Sequence, residues 1–135
     1  MSAVTDYFGE VISSYTREQA INDGVLVEVG DISKEAGFKI PVALTRAAWA
    51  DCVAWDDNDS KRQTYQDQSG RLWDVLFMGF MAARSQPNAS RIQYQLYRVP
   101  RGGRGVKARL MTLNLVVGPG DAGEPVITIM LPDES

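Results

Sequence analysis

Six carboxylates gather in and around one polar stretch of this chain, "DDNDSKRQTYQD" at residues 56–67: Asp51, Asp56, Asp57, Asp59, Asp67 and Asp74. Carboxylates at such density can ligate a hard cation. Asp56, Asn58 and Ser60 fall at positions 1, 3 and 5 of a twelve-residue calcium loop, with Asp67 at position 12. Lys61, however, stands where that loop needs its turning glycine, and Asp67 stands where it needs a bidentate glutamate. No specific divalent site is therefore expected, and no cofactor. Asp59 and Lys61 also form a D-x-K fragment, which metal-dependent nucleases carry on a strand beside another acid. A carboxylate- or metal-dependent hydrolase or nuclease using the Asp56–Asp67 loop is one alternative reading. The expected arrangement is a solvated loop between helices, with its acids capping the next helix.

The second concentration is basic. "RVPRGGRGVKARL", residues 98–110, holds Arg98, Arg101, Arg104, Lys107 and Arg109 and no acid. Between Asp74 and Asp121 there are seven bases and no acid, whereas the rest of the chain has seven bases and all 17 acids; the net charge is −3. Arginine suits forked recognition of carboxylate or phosphate. Tyr94 and Tyr97 interleave with the bases, an arrangement that suits base stacking. Arg101, Arg104 and Lys107 are expected at a mobile, glycine-spaced hairpin tip, away from the core. Such charges also guard an edge strand against aggregation.

Composition narrows the chemistry further. The chain has no histidine and a single cysteine, Cys52. That removes the Ser-His-Asp triad, the commonest general base and a structural zinc site. A disulfide within the chain is impossible, and Cys52 is expected to be a buried small hydrophobe in a reducing cytoplasm. No secretory signal or membrane-length apolar run is read.

These residues need a scaffold, and the pattern supplies one. Thr16 and Gln19 form a capping box, and Gly24 closes the short helix after it. "VLVEV" reads as a strand. "DISKEAG" is a helical turn, capped by Asp31 and stopped by Gly37; "FKIPVAL" is extended. Thr45 caps "RAAWADCVAW". The next helix, Arg71 to Arg84, is apolar nearly all round, so Phe77 or Met78 is expected to meet a second chain or another packed layer. The period then falls to two in "RIQYQLYRV", "ARLMTLNLVV" and "VITIML". The fold class is α+β: a C-terminal three-stranded antiparallel meander on two or three helices, with the short N-terminal strand joining the sheet. All 135 residues form a single domain, with residues 1–14 loosely ordered.

"YTREQAINDGVLVEV", "AGFKIPVALTRAAWADCVAW", "RQTYQDQSGRLWDVL" and "GPGDAGEPVITIMLP" together resemble a family of small uncharacterised proteins carried on plasmids, integrative elements and phages of proteobacteria. The resemblance runs from Tyr15 to Pro132 and carries over no catalytic residue. It implies a mobile-element setting, in which small acidic proteins inhibit host defences such as CRISPR or restriction systems by binding a protein complex. The expected function is a non-catalytic protein-binding module whose partner is a host protein or complex, reached through the basic hairpin or the acidic face. A nucleic-acid-binding accessory protein using the hairpin is the other alternative.

Overall fold

The structure, a computed structural model, describes residues 15–134; the expectation for residues 1–14 lies outside them. Helix starts follow short-range capping. The Gln19 N–H donates to Thr16 Oγ1 at 3.0 Å and the Thr16 N–H to Gln19 Oε1 at 2.9 Å, opening α1 (Arg17–Asn22). Thr45 accepts from the Ala48 N–H at 3.1 Å and opens α3 (Arg46–Cys52). Asp67 accepts from the Gly70 N–H at 2.6 Å and opens α5 (Gln68–Ser85), three residues before the apolar run begins at Arg71.

Two expectations change. α2 (Gly30–Ala36) does not use Asp31 as its cap: it starts one residue earlier, Asp31 lies in its first turn, and Ser33 Oγ bonds back to the Gly30 carbonyl at 2.7 Å. The polar stretch after Trp55 is not only a loop. It contains α4 (Asp57–Arg62), opened by a capping box in which Asp56 and Asp59 each accept the other's backbone N–H. α3 in turn stops at Cys52; Val53 caps it, its N–H and that of Ala54 both bonding back to the Trp49 carbonyl, and Val53, Ala54 and Trp55 are buried.

The strands are β1 (Leu26–Glu28), β2 (Val42–Thr45), β3 (Arg91–Arg98), β4 (Arg109–Pro119) and β5 (Pro125–Met130). The class is α+β, but the sheet is larger than the three strands expected: it is mixed and five-stranded, in the order β1-β2-β5-β4-β3. β4 pairs antiparallel with β3 and with β5, β5 pairs parallel with β2, and β2 pairs antiparallel with β1. β5 lies inside the sheet because it is apolar on both sides. Val126 and Met130 are buried on one face, Ile127 and Ile129 on the other.

One face of the sheet carries the core. Val42, Leu44, Ile127, Ile129, Leu113 and Leu115 are covered by α2, α3 and the inner side of α5, which contributes Leu72, Val75 and Leu76. α5 packs close against β3 at Gly79, where an added Cβ would lie 3.0 Å from Tyr94 Oη. Tyr94 is buried and donates to the Val75 carbonyl at 2.9 Å, so it cannot stack on a base as its spacing suggested. On the outer side of α5, Phe77 and Met78 stay exposed. Among the described residues no helix is long and apolar enough to cross a membrane.

Candidate partner-binding site

The acidic stretch and the basic stretch are not two separate surfaces. The β3–β4 loop, residues 99–108, folds back onto α4, and side chains of α4 hold its backbone. Gln63, just past the helix end, does most of this. Its Nε2 donates to the carbonyls of Pro100 at 2.8 Å and Gly105 at 2.7 Å, and its Oε1 accepts from the Gly102 N–H at 2.8 Å. Arg62 Nε adds a bond to the Gly103 carbonyl at 3.1 Å. The turn needs positive φ at Gly102 (111°) and Gly103 (67°), which glycine adopts without strain.

Arg101 makes the same connection through charge. Its Nε donates to Asp59 Oδ2 at 2.8 Å and its Nη2 to Asp56 Oδ2 at 3.2 Å. Asp59 is buried, with its side chain 2% exposed, and also receives Arg62 Nη2 and the Asp56 N–H. Burial would raise the pKa of its carboxyl, but the hydrogen bonds from Asp56 and the nearby Arg101 guanidinium win and hold it below the usual aspartate value of 3.8.

Behind this lies a second pair of arginines. Arg71, at the start of α5, is buried and joins three chain segments. Its Nε donates to the Val53 carbonyl at 3.0 Å, and its Nη1 donates to the Val99 carbonyl at 3.0 Å and to Gln66 Oε1 at 3.2 Å. Its guanidinium lies over the Trp55 ring, 4.6 Å from the centroid. Burial, and after it the Arg98 guanidinium, lowers its pKa to about 10. Arg98 is itself buried; it donates to the Arg71 carbonyl at 3.4 Å and lies 3.9 Å from Asp74.

The predicted site residues therefore separate. Arg98 and Asp59 leave the surface, because strand alternation turns Arg98 to the core face and the capping box turns Asp59 under the loop. Arg101 is not a free tip residue: its guanidinium is taken by two aspartates. Asp56 and Asp67 serve as helix caps, while Asp51, Asp57 and Asp74 are exposed on three different helices. Arg104, Lys107 and Arg109 are exposed and make no ion pair with the described residues. Tyr97, expected from sequence as a stacking residue, is 72% exposed, and two apolar side chains that the sequence pattern did not mark share its region, Val106 (58%) and Leu110 (51%), with Tyr97 directly opposite Leu110 across β3 and β4.

Around the D-x-K fragment, the Asp59 oxygens face guanidiniums and an amide; Lys61 is on a helix, not a strand; and Ser60 Oγ is engaged by Trp55 Nε1 and the Gln66 carbonyl, each at 3.0 Å. Among the described residues no three His, Cys, Asp or Glu side chains gather in a metal-binding arrangement. Cys52 is fully buried, and burial pushes its thiol up to about 11, so it holds no thiolate at neutral pH.

No curated protein and no solved structure matches the chain significantly. Residues 5–135 match a family model, and the chain accordingly belongs to the family of unknown function DUF6573.

Proposed function

We propose that this protein is a non-catalytic protein-binding module whose contact surface is the clamped β3–β4 loop. The observation that supports this reading is the clamp itself. Gln63, Arg62 and Arg101 fix the loop backbone against α4, while Arg104, Val106 and Lys107 stay exposed on the loop, and Tyr97 pairs with Leu110 at its base on the sheet face opposite Arg109. A loop ordered before binding loses less entropy when it docks. Exposed aromatic and aliphatic side chains in the same region as these three cations suit a partner surface that offers both apolar and acidic groups. Within this reading the target is a host defence complex met by a mobile genetic element, the setting that the resemblance of the sequence implies.

Capture from host lysate by wild type and by Arg104→Glu/Lys107→Glu/Arg109→Glu tests the surface. The wild type should retain a partner that is released as salt rises, and the triple reversal should lose it with an unchanged melting temperature. Equal capture by both proteins would remove the loop from the interface. Captured nucleic acid in place of protein would favour the accessory-protein reading.

A further inference from the structure

At the other end of β3 and β4 from the clamped loop lies a cavity of about 400 Å³. Its floor is the sheet, through Ile92, Leu115 and Ile127; its walls are Phe38 and Phe80, which meet edge to face with centroids 5.5 Å apart. The opening depends on Gly37, at φ 120°, where a Cβ would lie 2.6 Å from the Phe80 ring. Phe80 lies against bare backbone there.

Charge at the mouth is one-sided. Lys39 and Arg84 both border the cavity, both are exposed, and among the described residues no acidic side chain lines it. Neither makes an ion pair with the described residues. Arg84 alone has a structural explanation, since it lies in the last turn of α5 and offsets the helix dipole. Lys39 is in the connection between α2 and β2 and ends no helix. Two cations bordering a largely apolar cavity, lined also by Gln86, suit an apolar chain with an anionic end, of which a carboxylate is the simplest. We infer that this cavity binds a medium-chain acyl carboxylate, with the chain on the sheet between Phe38 and Phe80 and the carboxylate between Lys39 and Arg84.

The test uses the full chain and simple amphiphiles below their micelle concentration, titrated by calorimetry. Octanoate, decanoate and dodecanoate should bind one per chain, each added methylene tightening binding about fourfold, the equivalent of about 0.8 kcal/mol. Lys39→Ala/Arg84→Ala should weaken dodecanoate about fivefold to tenfold and leave dodecanol unchanged, as expected for two partly screened ion pairs. Ala83→Phe, placed to fill the cavity, should abolish binding of both at an unchanged melting temperature; Ala89→Phe serves in its place if that variant does not fold. Three results would overturn the inference: no saturable binding, equal affinity of wild type for dodecanol and dodecanoate, or a concentration-dependent doubling of solution mass that Ala83→Phe abolishes. The last would make the cavity a contact between two copies of the chain.

Discussion

Arg101 and Arg104 are three residues apart in one loop, and truncating them should give sharply different results. Arg101 is 39% exposed at its side chain and donates two hydrogen bonds to carboxylates, one of which, on Asp59, is 2% exposed. Removing one partner of a fully buried pair costs about 3–5 kcal/mol, and breaking a surface pair about 0–1 kcal/mol. Here the outer side of the guanidinium is wet, and Asp59 keeps Arg62 and the Asp56 amide. Arg101→Ala should therefore destabilise by about 1–2 kcal/mol, or roughly 3–8 °C in melting temperature for a chain of this size. Arg101→Glu should cost more, about 2–3 kcal/mol, because a third carboxylate would face Asp56 and Asp59. Arg104→Ala touches no described partner and should stay within about 0.5 kcal/mol of wild type. Urea unfolding followed by tryptophan fluorescence reads this directly, since buried Trp55 donates to Ser60 of α4 at 3.0 Å. Hydrogen exchange at the Gly102 amide adds a local measure, and it should speed up in Arg101→Ala. If Arg101→Ala and Arg104→Ala unfold at the same urea concentration, the loop is not held by its aspartates and the argument for an ordered docking surface fails.

Three other outcomes follow from the same contacts. The Asp59 pKa is depressed on folding, so the stability its contacts contribute is full above the ordinary aspartate value of 3.8 and is lost as pH falls through the folded value. Asp59→Asn should flatten the loss of urea stability seen in wild type as pH falls below about 5. Gly79→Ala should lower the urea midpoint by an amount equivalent to about 1–3 kcal/mol, since its methyl would meet Tyr94 Oη at 3.0 Å; Tyr94→Phe should recover part of that loss in the double variant. Arg71→Met should cost about 2–4 kcal/mol by calorimetry, because the Val53 and Val99 carbonyls and Gln66 Oε1 lose their donor together.

What could be read from sequence was mostly local. Thr16, Thr45 and Asp67 announce their helices because a cap reaches only three residues along the chain. Alternation in β3 puts Ile92, Tyr94 and Leu96 on one side, which packs on the core, and continued by one step it also puts Arg98 there despite its charge. The apolar run "VITIM" carried the signal of an interior strand in Val126 and Met130, but its parallel partner β2 lies some eighty residues earlier, and no local pattern specifies a pairing at that distance. α4 went unread because "DNDSKR" lacks an apolar face, and its capping box uses aspartate at both ends. Gln63 was not legible at all: an uncharged residue in a polar stretch becomes the clamp only once the β3–β4 loop has folded back onto it.

That clamp also changes how the charge of the chain should be understood. Counted along the sequence, residues between Asp74 and Asp121 form a block of seven bases. Folded, the block divides. Arg98 goes into the core beside Arg71, and Arg101 is neutralised by Asp56 and Asp59. Arg84 borders the cavity at the far end of the sheet, and Arg91 is exposed at the start of β3, also at that end. Three cations are left exposed around the loop: Arg104, Lys107 and Arg109. Screening confines their field to about 8–10 Å at physiological salt, so they act on a partner already close by. Two acids of the other concentration, Asp56 and Asp59, help to fix the loop from which these cations project. Selectivity would then rest on where the clamp places three charges relative to Tyr97, Val106 and Leu110, and loosening the clamp should weaken binding even with every exposed base intact.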